Sequence, residues 1–106
     1  MGGGVVAATL LILTSSAGFT GVLAAGPEKA KACAVCHGKD GIAIRPDAPN
    51  IAGQNSTYLR GQLMAYRTGE RVHAEMNIIA KELSDQDVDD LVMWYSTIKF
   101  NVELPE

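Results

Sequence analysis

The sequence predicts an all-α domain, and three observations carry that prediction. No segment alternates apolar and polar residues as a half-buried strand would. Gly69 stands where one helix should stop, and Ser84-Asp85-Gln86-Asp87 reads as a capping box where another should start. Beyond that box, Val88, Leu91, Trp94, Tyr95 and Ile98 recur at the helical period and give a helix one apolar face.

The chain opens with a different kind of segment. From Met1 to Gly26 no side chain is charged, and Val5-Val6-Ala7-Ala8-Thr9-Leu10-Leu11-Ile12-Leu13 is an apolar run of the length of a secretory h-region. Small residues follow it and offer cuts after Ala17, Ala24 or Ala25. The last two fit better, because Gly26 begins a polar, helix-forming stretch. No basic side chain precedes the run, so a retained anchor competes with a cleaved signal, although Ser15, Ser16 and the glycines make a poor spanning helix. Residues 1–25 are therefore expected to be a signal peptide or N-terminal anchor, and residues 26–106 a single exported domain.

In that domain Pro27 suits the first position of a helix, and Glu28-Lys29-Ala30-Lys31-Ala32-Cys33 continues it with good helix formers. The helix leads into Cys33-Ala34-Val35-Cys36-His37. This C-x-x-C-H motif uses both cysteines of the 106-residue chain and signals covalent attachment of a c-type haem. Each thiol adds across one haem vinyl group, and the histidine that follows is placed to bind iron. A thioredoxin-like dithiol would want a βαβ setting, and a zinc site would want a second ligand pair. Neither is present, since His73 is the other histidine and no further cysteine exists. One motif means one haem. The attachment also fits export, because outside the cytoplasm unmodified thiols are prone to oxidation.

After the motif, Gly38-Lys39-Asp40-Gly41 breaks the chain, and Pro46 and Pro49 keep Arg45-Pro46-Asp47-Ala48-Pro49-Asn50 irregular, so a long loop is expected to wrap the cofactor. Ser56 or Thr57 then caps a second helix through Tyr58 to Arg67, with Leu59, Leu63 and Tyr66 on its apolar face and Gly69 past its end. A shorter helix is expected around Asn77 to Leu83, and the helix after Ser84 closes the fold. A domain of about 80 residues has a thin core and usually needs a staple, and a covalently held porphyrin supplies one.

What lies opposite His37 on the iron decides the chemistry. Met64 and Met93 fall within expected helices, where core filling is the ordinary role of methionine. Met76 lies in the polar stretch Arg71-Val72-His73-Ala74-Glu75-Met76-Asn77, expected to be a loop, from which its thioether can reach over a haem. His73 is the rival ligand.

Charge excludes some partners. The net charge is −3 and no basic cluster interleaved with aromatics occurs, so nucleic acid is not an expected partner. The acidic positions Asp85, Asp87, Asp89 and Asp90 are read first as favourable neighbours of a helix N-terminus, ahead of a docking patch for a basic protein.

Taken together, these blocks resemble the class I c-type cytochromes, specifically the small bacterial monohaem members. The resemblance covers Gly26 to Ile98. It rests on Cys33-Ala34-Val35-Cys36-His37-Gly38, Pro49-Asn50-Ile51-Ala52-Gly53-Gln54, Tyr58-Leu59 with Gln62-Leu63, Arg67-Thr68-Gly69-Glu70-Arg71, Met76 with Ile79-Ala80, and Leu83-Ser84-Asp85 leading to Leu91 and Trp94-Tyr95. The blocks follow the family's order and spacing.

The resemblance implies the class I cytochrome c fold, short helices wrapped around one covalently bound haem. It implies thioether links at Cys33 and Cys36, His37 as proximal ligand and Met76 as distal ligand. It also implies that Pro49 offers its backbone carbonyl to the other imidazole nitrogen of His37, and that Ile51 packs against the haem edge. Tyr58, Arg67 and Arg71 match positions around the haem or its propionates. Relatives carry a longer first helix whose small residue crosses an aromatic of the last one. Here Gly26 is placed to meet Trp94, with either a short helix or one extended by residues 19–25.

The function implied is single-electron transfer in the periplasm by a carrier that is no enzyme itself, between redox partner proteins: a dehydrogenase as donor, an oxidase or reductase as acceptor. The alternative is the haem c subunit of an exported dehydrogenase complex feeding a respiratory chain. A membrane tether follows if the N-terminal segment is retained. An open-site haem enzyme or gas sensor is disfavoured by the Met76 block.

Overall fold

The computed structural model of the chain describes residues 1–8, 10–12 and 25–106. Its regular elements are a helical segment at residues 25–29 and four helices, α1 (Lys31–His37), α2 (Ser56–Thr68), α3 (Ala74–Glu82) and α4 (Asp85–Thr97). No strand occurs among the described residues. Residues 1–8 and 10–12 have no regular secondary structure and are exposed. Most of the expected leader, with the cut positions after Ala17 and Ala24, lies outside the described residues. Among those described, no helix is long and apolar enough to cross a membrane.

The N-terminal part is more helical than its sequence implied. Residues 25 and 26 are helical, so Pro27 does not open the segment. After a turn at Ala30, α1 runs through the C-x-x-C-H motif instead of stopping before it. Nothing between Cys33 and His37 lacks an amide proton or demands a left-handed backbone. The breaker is Gly38, at φ 79°, whose N–H closes the helix on the Ala34 carbonyl at 3.0 Å. A Cβ at Gly38 would lie 1.9 Å from the carbonyl oxygen of Ile42, so no other residue fits the turn.

Two helix starts differ from expectation. Asn55, one residue ahead of Ser56 and two ahead of Thr57, caps α2: its Oδ1 accepts the Tyr58 N–H at 3.1 Å. All three are good capping types, and propensity alone does not rank neighbours. Helix α3 begins at Ala74, ahead of Asn77. His73 is its cap, with Nδ1 accepting the Met76 N–H at 3.3 Å, while Asn77 Oδ1 accepts the His73 N–H at 2.7 Å. This histidine–asparagine exchange replaces the familiar serine–glutamate pair, and it places Met76 in the first turn of a helix and not in a loop. The Ser84–Asp87 capping box of α4 is formed as expected.

The core is the apolar face of α4 against α2 and the N-terminal segment. Val88, Leu91, Val92 and Tyr95 are buried with Leu59 and Ala30, and Ile51, Leu63, Leu83, Trp94 and Ile98 pack around them. Each fully buried valine or leucine stabilises the fold by ~1.5–3 kcal/mol. Gly26 touches Trp94, as the family resemblance implied: a Cβ there would lie 2.7 Å from the Trp94 Cβ. Lys29 fixes the same crossing from the polar side, bonding Asp87 and Asp90 at 2.7 Å each. Asp85 pairs with Arg67 at 2.7 Å and Asp89 with Arg60. Every carboxylate of the acidic run is thus engaged within the molecule.

Candidate functional site

Helix α1 presents Cys33, Cys36 and His37 at a spacing of three and four residues, which puts them on one face. That face borders a cleft of about 320 Å³. Pro49, Ile51 and Met76 line the same cleft, so the residues singled out in the sequence converge on one place. Leu59 and Leu63 of α2, Ile79 of α3 and Leu91 of α4 make its walls apolar.

The loop after Gly38 is held by its own short polar side chains. Asp40 Oδ1 accepts the Ile42 N–H at 3.0 Å, and Asn50 Oδ1 accepts the Ala43 N–H at 2.7 Å. The Ile51 and Ala52 amides both donate to the Gly41 carbonyl, at 2.8 and 3.0 Å. These bonds carry Pro49 beneath the imidazole of His37, whose Nδ1 lies 2.8 Å from the Pro49 carbonyl oxygen. A carbonyl only accepts, so Nδ1 carries a proton, and in the neutral ring the lone pair is then on Nε2. That is the tautomer a metal ligand needs, with its orientation set by the backbone.

Across the cleft, Met76 is half-buried in the first turn of α3. His73 also lines the cleft, but its Nδ1 is engaged in capping α3 and its ring packs edge-on against Tyr66. Tyr58 is half-exposed on the cleft wall. Arg71 stacks over Tyr66, 4.8 Å from the ring centre, and donates to Gln62 at 2.6 Å. Arg67 does not line the cleft. It joins helices instead, donating to the Leu83 carbonyl at 2.7 Å and to Asp85.

Burial pushes the Cys33 thiol above its ordinary value. The phenol of Tyr95 is raised too, first by burial and then by the neighbouring Cys33. Its hydroxyl is buried and has no hydrogen-bond partner among the described residues. An apolar cleft with two thiols, an imidazole and a thioether on its walls fits a covalently attached porphyrin.

Three contributors escaped the sequence reading. Arg45 bonds Cys36, Asp47 and Glu75 at the edge of the cleft. Tyr95 was placed on the core face of α4 but also borders the cleft. Asn77 donates to the carbonyls of Tyr66 and Arg71 at 2.7 and 2.8 Å and so ties the segment before α3 to the end of α2. An arginine just ahead of a proline and an asparagine inside a helix carry no local signal for these roles.

An all-helical fold with paired thiols and an oriented histidine at an apolar cleft defines a haem-binding electron carrier. Residues 23–99 match the family model for cytochrome c, and the chain belongs to that family as a class I c-type cytochrome. It is 42% identical over 80 residues to cytochrome c-554(548) of Halomonas halodenitrificans, covering 73% of this chain and 96% of that protein. It is 37% identical over 94 residues to cytochrome c4 of Pseudomonas aeruginosa, covering 89% of this chain and 47% of that one. A third relative, the thiosulfate dehydrogenase electron acceptor of Thiomonas intermedia, is 40% identical over 78 residues, covering 72% of this chain and 36% of that protein. The chain thus spans nearly all of the first relative and half or less of the other two. Its function is electron transfer through covalent haem c, and Cys33 and Cys36 are the cysteines of its attachment motif.

Proposed function

We propose that the chain is an exported, periplasmic carrier of single electrons whose iron is held by His37 and Met76, with thioether links at Cys33 and Cys36. The observation that carries this reading is the 2.8 Å bond from His37 Nδ1 to Pro49, which leaves Nε2 free at the same cleft that Met76 lines. When bound, haem would supply a ferric–ferrous couple, and with His37 and Met76 both holding the iron no site would remain for substrate, which supports reading the chain as a carrier and no enzyme by itself.

The chain's own residues do the rest. Pro49 holds the proton on Nδ1 and fixes the ring plane. The walls from α2, α3 and α4 exclude water, which keeps the site apolar, and Ile51 packs at its edge. His73 stays on α3 as a cap, which favours Met76 over it as the second ligand.

Val35 and Ile44 are 68% and 71% exposed beside Cys36, whose carbonyl accepts the Ile44 N–H at 3.1 Å. They form an apolar rim where a redox partner docks briefly, in keeping with a small interface and fast release. The thiosulfate dehydrogenase electron acceptors among the relatives favour a dehydrogenase as donor. An oxidase or reductase would be the acceptor. The same similarity is compatible with the second reading, a haem subunit held permanently in a dehydrogenase complex.

The deciding experiment replaces each candidate ligand in the purified holoprotein. Met76→Ala should lose the sulfur-to-iron charge-transfer absorption, lower the potential and gain carbon monoxide binding, while His73→Ala should keep the absorption. An unchanged Met76→Ala spectrum would remove Met76 from the site. Recovery of the native protein as a lone monomer supports the shuttle; co-purification with a dehydrogenase supports the subunit.

A further inference from the structure

We propose that Arg45 is a positioning residue that clamps the start of α3, and with it Met76, to the loop that orients His37. The inference rests on the His37–Met76 reading above.

Arg45 lies in the long loop between α1 and α2. Asp47, in the same loop, accepts from Nε at 2.9 Å and also from Nη2, a two-pronged bond that fixes the plane of the guanidinium. So held, Nη1 reaches Cys36 Sγ at 3.0 Å and the two carboxylate oxygens of Glu75 at 3.0 and 3.4 Å. Glu75 directly precedes Met76 in the first turn of α3. One side chain therefore joins the cysteine next to His37, the loop that ends at Pro49, and the residue beside Met76, 30 positions away in sequence.

Among the described residues, this is the one ion pair between that loop and α3. The opposite side of the Met76 segment is already tied to α2 by Asn77. Without Arg45, the segment has a hold on α2 but no ionic hold on the His37 side. Release of Met76 from a bound iron would require its segment to move outward, so a tie across the cleft mouth would raise the free energy of the released state. Arg45 and Glu75 are 37% and 53% exposed, so the tie is an ordinary partly screened pair with a modest effect.

The test uses the holoprotein and exogenous imidazole, which binds ferric iron only after the methionine has left. Glu75→Gln and Arg45→Gln should each keep the charge-transfer absorption and tighten imidazole binding about two- to fivefold, in line with one exposed ion pair. The double variant should gain no more than the larger single effect. Raised ionic strength should tighten imidazole binding in the wild type and not in the variants. Glu28→Gln, which breaks the exposed pair with Lys31, is the control and should change nothing.

If the variants keep the absorption and bind imidazole like the wild type, the clamp is overturned and the ligand assignment stands. If the wild type lacks the absorption, both fall together. Equal tightening in Glu28→Gln, or tightening that tracks the urea midpoint alone, would reduce Arg45 to a general structural role and overturn the inference.

Discussion

His37 Nδ1 and the Pro49 carbonyl oxygen stand 2.8 Å apart across twelve positions of sequence. The bond holds the imidazole in one tautomer, and its acceptor is backbone, so no side chain at position 49 makes it. The proline contributes by restricting the loop that carries the carbonyl.

It follows that Pro49→Ala should keep the bond and lose only stability. We expect a cost of about 0.4–1 kcal/mol, arising mostly from the freer unfolded chain. Urea unfolding measures the cost, and the Nδ1-bound proton seen by nitrogen-edited NMR reports the bond. Loss of that resonance in the variant would show that the ring itself holds the carbonyl in place.

Gly26 is the tightest point of the crossing between the N-terminal segment and α4. An alanine Cβ would lie 2.7 Å from Trp94 Cβ and 3.1 Å from Cγ, atoms too close to the backbone to swing away. Gly26→Ala should therefore destabilise by ~1–3 kcal/mol, the range for overpacking, despite the better helix propensity of alanine. Thermal unfolding of the holoprotein checks this. An alanine variant as stable as the wild type would mean that the crossing is looser than described.

The Lys29 ammonium, then the Ser84 backbone, push the Asp87 carboxyl down to about 2 from an ordinary 3.8. Asp90 is lowered too, by Lys29 and then Gln86. A depressed value contributes stability that is fully present above the ordinary carboxylate range and is lost as pH falls from about 4 through about 2. Asp87→Asn should flatten the acid limb of the stability curve in that window and leave its shape unchanged above about pH 5. An acid limb as steep as the wild type's would assign it to other carboxylates.

The parts of the fold read correctly in advance are those whose causes are local. The capping box at Ser84 and Asp87 and the period from Val88 to Tyr95 act within one or two helical turns, so residue order states them directly. The C-x-x-C-H motif works the same way, since five consecutive residues spell the haem-attachment signal. Where two local signals adjoined, as at Asn55 and Ser56, order did not choose between them. Where the cap was an unusual one, at His73, the helix start was misplaced and Met76 was set in a loop.

Residue order alone thus settled the all-α class, the cofactor and the face of α4 that builds the core. Only the folded chain decided which nitrogen of His37 carries a proton, that Lys29 would bond carboxylates at positions 87 and 90, and that Arg45 would reach Glu75. The division has one physical cause. Propensity and capping depend on neighbours along the chain, whereas tautomers, ion pairs and close crossings depend on distances through space, which exist only after the helices have packed.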